Sequence, residues 1–332
     1  MLTIAGAGPA GSTCAYYLAN SAFEVTLYDK EKFPREKPCA GGLFNPEAYI
    51  KEFPWLEKFI NQNTTSIYKV EFRCDNVKAE FQSDKPMLAT TTRKEFDSFI
   101  LKQAKKQGAA FIQSKLNRAD ITATGAKHFT YKHKGICFVA EAKTKSKPEP
   151  KAIIHYFFNH IKGYAWLFPK KHSVNIGLGT YLPCRNAKDA FFRFIDKLKE
   201  ESLLQKNIAP KPNAALIPFS PRKLYDKNTV FIGDSAGLVA PKTGEGIFFA
   251  MLSGKLLADA IWRWKELSKR AKKEYAIQCK KKILPMLKPI PFADYSITWK
   301  LAKAIIRRKI KKHQGLLAKE FFRLTAENRS PF

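Results

Sequence analysis

Residues 2–29 read LTIAGAGPAGSTCAYYLANSAFEVTLYD, and their spacing decides the fold. Leu2 to Ala5 is a short apolar strand, and Ser12 to Asn20 has the character of a helix. Glu24 to Tyr28 alternates as a second strand that ends on Asp29. Strand, helix and strand together make a βαβ unit, joined by Gly6-Ala7-Gly8-Pro9-Ala10-Gly11. In such a unit the first glycine makes the tight turn and the second admits a pyrophosphate to the backbone. The third lets helix and strand pack closely, while the helix N-terminus offers N–H groups to phosphate. Asp29, eighteen residues after Gly11, stands where a carboxylate accepts ribose hydroxyls. Gly6, Gly8, Ala10, Gly11, Asp29 and the adjoining Lys30 are therefore expected to bind a dinucleotide.

Far downstream, Thr229-Val230-Phe231-Ile232 reads as a short buried strand that runs into Gly233-Asp234-Ser235-Ala236-Gly237. Pro241 follows, and Gly244-Glu245-Gly246-Ile247 opens a helix expected to reach Trp264. Asp234 can hold a sugar-alcohol hydroxyl. The helix start can face the negative charge of a reduced flavin. No second G-x-G-x-x-G is present, so no dedicated NAD(P) domain is visible.

The middle of the chain has a different pattern. Residues 66–92 alternate as short strands with a turn at Asp75-Asn76, and Arg93 to Gly108 is amphipathic, with Phe96, Phe99, Ile100 and Ala104 on one face. Strands are expected at 136–142, 152–158, 163–168 and 173–180, paired antiparallel, then a helix over 187–206. Tyr164, Trp166 and Phe168 share one face of their strand. On spacing alone they either fill a sheet core or wall a greasy pocket.

The glycine-rich segment at 233–247, about 220 residues beyond the first fingerprint, resembles the FAD-binding pattern of the para-hydroxybenzoate hydroxylase superfamily. Lys37-Pro38-Cys39-Ala40-Gly41-Gly42-Leu43 is similar to the Lys-x-Cys-Gly-Gly-Gly segment of geranylgeranyl reductases. Tyr164-x-Trp166-x-Phe168-Pro169 resembles their Tyr-x-Trp-x-Phe-Pro signature, and Asn175-Ile176-Gly177-Leu178-Gly179 the strand after it. Arg93, Phe96 and Asp97 match their R-x-x-F-D segment. The likeness spans roughly residues 1–260. It implies an FAD-dependent oxidoreductase that reduces C=C bonds of a polyprenyl, geranylgeranyl-type lipid. It also implies Cys39, Tyr164 and Trp166 as catalytic, and Tyr164, Trp166, Phe168 and Pro241 as substrate contacts. Lys37, Cys39, Ala40, Gly41, Arg93, Gly125, Gly233, Asp234, Gly244, Gly246 and Ile247 join the cofactor set, and NAD(P)H or ferredoxin becomes the expected electron donor. Two departures mark a trimmed member. Thr124 replaces the superfamily's aspartate before Gly125, and 109–123 is too short for the relatives' β-meander. An FAD monooxygenase or halogenase, and a prenyl-lipid binder without redox turnover, are the alternatives. A halogenase would carry Trp-x-Trp-x-Ile.

Composition bounds the rest. The chain has 332 residues, 45% of them hydrophobic, enough for a large core. Cys14, Cys39, Cys74, Cys137, Cys184 and Cys279 form no C-x-x-C pair, which argues against zinc and disulfides. The six histidines show no ligand spacing, so no metal is expected. The start, Met1-Leu2-Thr3-Ile4, has neither a basic nor an apolar leader region, and no long apolar run follows. A cytoplasmic protein, peripheral at the membrane, is the expectation. Net charge is +30, and residues 254–332 hold 21 basic against 6 acidic side chains, half of that excess. Either a lysine-rich surface or attraction to polyanions accounts for it. Without a recognised nucleic-acid motif, nucleic acid is not an expected partner; an anionic membrane surface is. On a helix, 299–312 sets Trp299, Ala302, Ile305, Ile306 and Ile310 opposite Lys300, Lys303, Arg307 and Lys311. That face either meets lipid or packs on the protein.

The expected fold is mixed α/β: a Rossmann-like FAD-binding domain (1–65 with 88–130 and 225–262) interleaved with an antiparallel-sheet substrate domain (66–87 with 131–224). A basic helical C-terminal region covers 263–332.

Overall fold

The computed structural model describes all residues except 22, 128, 145–146, 157, 159–160, 288–295, 313–314, 316 and 318–332. His128, His160 and His313, and the expected helix breaks at Pro289 and Pro291, lie outside the described residues.

The chain opens with β1 (Leu2–Ala5), α1 (Pro9–Asn20) and β2 (Val25–Asp29), the expected βαβ unit. Proline at its first turn starts α1, where a missing N–H costs nothing. Next come β3 (Gly42–Phe44), α2 (Pro46–Glu52), α3 (Glu57–Asn63), β4 (Thr65–Ile67), β5 (Lys69–Cys74), β6 (Val77–Gln82) and β7 (Leu88–Thr90). Asn45 caps α2 by accepting from the Ala48 N–H at 3.2 Å. The amphipathic α4 (Arg93–Lys106) then buries Phe96, Ile100 and Ala104. β8 (Ala110–Gln113), β9 (Ile121–Thr122), β10 (Lys134–Lys143), β11 (Lys151–Tyr156), β12 (Gly163–Pro169) and β13 (Ser173–Tyr181) lead to α5 (Ala187–Glu200). The chain continues through β14 (Asn213–Pro218), β15 (Val230–Phe231), α6 (Ile247–Trp264), α7 (Lys269–Lys282) and α8 (Ser296–Lys312).

Two compact units result, each assembled from three stretches of chain. The first comprises 1–37, 93–134 and 217–289. Its sheet is parallel, in the order β15-β9-β1-β2-β8, with α1 packed against α4 and α6. The second comprises 38–92, 135–216 and 290–332. It holds a seven-stranded sheet, β14-β10-β13-β12-β11-β5-β6, and a three-stranded one, β3-β7-β4.

Three features differ from the sequence-based expectation. Residues 38–65 group with the second unit, because β3 and β4 both pair with β7 there. The large sheet is not wholly antiparallel, since β11 runs parallel to β5. A long excursion of chain separates those two strands, so no tight turn forces them antiparallel. The basic C-terminal stretch is divided: α7 belongs to the first unit and α8 to the second. There α8 lies against β5 and β6, buries Ile310, and turns Lys303 (2.8 Å) and Arg307 (3.6 Å) onto Asp75. Ile305, on the apolar side of the helix, is 43% exposed. Among the described residues, no helix is long and apolar enough to cross a membrane.

Candidate functional site

In the first unit, the expected cofactor residues gather at one end of the parallel sheet. Gly6 to Gly11 follow β1, Asp29 ends β2, Gly125 follows β9, and Gly233 and Asp234 follow β15. All are carboxyl ends of parallel strands, where open α/β sheets take their ligands. Gly6 adopts φ +101, and a Cβ there would stand 2.3 Å from the Ala123 carbonyl oxygen. Only glycine fits. Asp29 accepts from the Ala7 N–H (2.9 Å) and the Glu31 N–H (3.0 Å), which aims its carboxylate at the glycine loop. No side chain caps the first turn of α1 or of α6, so both helix starts suit an anion.

The basic residues of this end differ in what they touch. Lys30 is exposed and pairs with Glu31 at 3.3 Å. Arg93 is buried and grips the fully buried Asp97 with two bonds, of 2.7 and 2.8 Å. Two of its N–H groups are thereby committed within α4. The residue missed is Arg35, whose Nη2 meets the same carboxylate at 2.9 Å and lies 3.1 Å from where a Gly8 Cβ would be. Two guanidiniums on one carboxylate leave a net positive charge beside the phosphate loop. The Arg35 Nε is buried with no hydrogen-bond partner among the described residues. A buried donor in that state costs free energy until it meets an acceptor. FAD phosphates are acceptors of the right charge, and the residues present fit the cofactor. Lys37 pairs with Asp234 at 3.5 Å, and the Tyr131 hydroxyl donates to the Asp234 carbonyl at 2.7 Å. Burial, and then the Asp234 charge, push the Tyr131 phenol up, so it stays a donor. Backbone bonds between Ala240 and Glu245 and between Gly244 and Ala240 close the turn that buries Pro241 and leads through Gly246 to Ile247.

In the second unit, Cys39, Ala40 and Gly41 form a loop tied to the end of β7. The Thr91 N–H donates to the Gly41 carbonyl at 2.9 Å, and Gly41, at φ +69, leaves no room for a Cβ against the Thr91 carbonyl. The Cys39 thiol accepts from the Gly41 N–H at 3.4 Å. One face of the large sheet carries a row of aromatic rings: Phe72, Tyr156, Tyr164, Trp166 and Phe168, with neighbouring centroids 5.7–6.4 Å apart. The opposite face is the aliphatic core under α5.

Glycines make room for the central indole. A Cβ at Gly177 would lie 2.0 Å from the Trp166 ring, and one at Gly179 would lie 3.5 Å from it. The indole N–H donates to Asn175 Oδ1 at 2.8 Å. Asn175, itself buried, donates to the Cys39 carbonyl at 3.2 Å and to Glu141 at 2.9 Å. One side chain thus connects the aromatic row to the cysteine loop. Burial pushes the Glu141 carboxyl up, but Lys170 at 2.9 Å and bonds from Ser173 and Asn175 outweigh it, and the net direction is down. Phe168 is only 1% exposed, enclosed by Gly42 and Phe44, so it backs the row rather than lining an open surface. Tyr164 is partly exposed.

Comparison with known proteins agrees with this picture. Residues 4–34 match the NAD(P)-binding Rossmann-like domain. An uncharacterised protein of Methanosarcina barkeri is 30% identical over 295 residues, 78% of this chain and 74% of that one. The geranylgeranyl diphosphate reductase of Rhodobacter capsulatus is 26% identical over 314 residues, 81% of this chain and 76% of that one. A geranylgeranyl bacteriochlorophyll reductase-like structure from Thermoplasma acidophilum superposes with a TM-score of 0.72 at 17% identity, covering 93% of this chain and 87% of that one. Flavin-dependent halogenases share the fold. With the nucleotide cradle, the Cys39 loop and the aromatic row all present, the chain belongs to the geranylgeranyl reductase-like family of FAD-dependent oxidoreductases.

Proposed function

We propose that this enzyme saturates carbon–carbon double bonds in a polyprenyl lipid. FAD, when bound and reduced by the electron donor, would supply hydride for one alkene carbon, with a proton for the other. The observation that carries the reading is the row Tyr164–Trp166 seated on Gly177 and linked through Asn175 to the Cys39 loop. An apolar row of rings suits an isoprenoid chain, and its π-faces steady positive charge developing on carbon. Cys39 is the proton-handling or cavity-shaping group, held in place from its own backbone carbonyl. Glu141, kept ionised beside Lys170, holds Asn175 and does not itself carry the proton. NAD(P)H or ferredoxin is the electron source we infer, and the prenyl lipid is the partner. The names of the relatives point to the same substrate class.

The test is Cys39→Ala in protein reduced with dithionite and offered prenyl diphosphates, prenylated ether lipids and quinones. Alkene reduction should fall at least tenfold with FAD still bound; unchanged turnover would remove Cys39 from the chemistry. Oxygen uptake with aromatic substrates, and no prenyl reduction, would favour a monooxygenase instead. A flavin that no acceptor reoxidises would favour a binding protein.

A further inference from the structure

We infer that the junction of α6 and α7, in the first unit, docks on an anionic lipid bilayer. The helix α6 is buried along most of its length, from Ile247 to Ile261, and then emerges as Trp262-Arg263-Trp264. Trp262 is 53% exposed and Trp264 38%. An indole is among the largest apolar groups a chain can bury, and two exposed at one helix end are a feature to explain. Each has a cation over its ring: Lys265 lies 4.5 Å from the Trp262 centroid and Arg270 5.3 Å from that of Trp264.

The next helix continues the pattern. On α7, Ala271, Tyr275 and Cys279 face inward and are fully buried. The outward stripe is Lys269, Lys273, Ile277 and Lys280–Lys281, at helical spacing. Ile277 is 49% exposed in the middle of these lysines. Arg263, Lys265, Arg270 and Lys282 are exposed as well, against two exposed carboxylates among the described residues, Asp259 and Glu266. Glu274 is half-buried and paired with Arg263 at 3.6 Å.

Exposed indoles, an exposed aliphatic side chain and a surplus of cations on one surface match the chemistry of a headgroup region. Tryptophan sits at the boundary of water and hydrocarbon, isoleucine enters the acyl layer, and lysines meet lipid phosphate. Single-stranded nucleic acid fits less well. Stacking wants open ring faces, whereas a cation already covers one face of each indole, and Ile277 gives a nucleotide nothing to bind. The surface also differs from the C-terminal helix picked out by charge alone, because α8 spends Lys303 and Arg307 on Asp75. The inference draws on the proposed function only in that a polyprenyl substrate would reside in a bilayer.

The experiment is flotation of the full-length FAD-loaded protein with vesicles that contain no prenyl lipid. Phosphatidylcholine alone is compared with a phosphatidylcholine–phosphatidylglycerol mixture. Wild-type protein should float with the mixed vesicles only. Lys269→Ala and Lys273→Ala should each weaken binding about fivefold. Trp262→Ala with Trp264→Ala, or Ile277→Glu, should weaken it at least tenfold while FAD content and far-ultraviolet dichroism stay unchanged. Brominated acyl chains should quench tryptophan emission in wild-type protein and not in Trp262→Phe with Trp264→Phe. Equal flotation of wild type and variants would overturn the inference, as would binding of RNA or acidic peptide through these residues without vesicle binding. Because the vesicles offer nothing to reduce, the outcome is separate from turnover. The same variants should keep wild-type rates on detergent-dispersed prenyl substrate. A protein that floats through these residues yet reduces no prenyl lipid would sink the proposed function and leave the docking surface standing.

Discussion

Arg35 shows what a single side chain adds beyond motif reading. Nothing in Phe33-Pro34-Arg35-Glu36 marks it among the chain's 59 lysines and arginines. Arg93 sits in a family-like segment and drew the expectation instead. In the fold Asp97, one helical turn from Arg93, takes two of that side chain's N–H donors. The second guanidinium on Asp97 then remains beside Gly8 with an unsatisfied Nε. Arg35→Ala should therefore raise the FAD dissociation constant about 10- to 100-fold, the range of one charge-assisted hydrogen bond. The Arg93–Asp97 pair would keep α4 in place. Flavin fluorescence titration of the apoprotein measures this, and an unchanged constant would show that Arg35 only neutralises Asp97.

Elements were legible where a period or a punctuating residue announced them. The βαβ unit, α4 and the β10–β13 strands follow from glycine spacing and alternation, and the Asp75 turn adopts the left-handed φ of 52°. The helices α2 and α3 were not anticipated, since neither is longer than 7 residues and neither completes two full turns of pattern. Their existence depends on Tyr49, Phe59 and Ile60 finding a core that only the fold supplies. The same holds for His155 on β11, to which spacing assigned no role. Its ring is buried against Phe158 (5.0 Å) and Phe194 of α5 (6.2 Å), and its Nδ1 has no partner among the described residues. Burial, with Lys197 and Arg73 nearby, holds its pKa down to about 3 from an ordinary 6.5. The folded state thus stays neutral where the unfolded chain takes a proton. Stability should fall as pH drops from 6.5 towards 3, by about 1.4 kcal/mol per unit. Between pH 7 and pH 5 that is about 2 kcal/mol. Urea unfolding of wild type and His155→Phe at the two values checks it. The variant should lose less by that amount, and equal losses would place the acid sensitivity elsewhere.

At the scale of the whole molecule, three chain segments weave each unit, so sequence position alone misjudges what a truncation removes. The last 79 residues look like a detachable basic appendage by charge, with half of the +30 excess. Structurally, α8 is part of the second unit's sheet packing. Ile310 and Leu317 are buried, Gly315 lies on Phe81, and the helix rests on β5 and β6. Removing 296–332 would delete those contacts and expose to water the apolar surface they cover on β5 and β6, Phe81 included, at about 25 cal/mol for each Å² uncovered. The Asp75 pairs, being partly exposed, add at most about 1 kcal/mol apiece. We therefore expect the truncated protein to lose amide-exchange protection across 69–82 while the parallel sheet of the first unit keeps its own. Unchanged exchange in 69–82 would mean that α8 is carried without contributing to the sheet. This outcome also bears on how lipid binding should be probed. Truncation removes charge and unsettles β5 and β6 together, so weaker flotation of a shortened chain would have two causes. Substitutions at Trp262, Trp264 and Ile277 change partly exposed side chains of the first unit and leave α8 in place. If the truncated chain floats normally while those substitutions abolish flotation, membrane affinity resides in the α6–α7 junction and the C-terminal charge serves the fold.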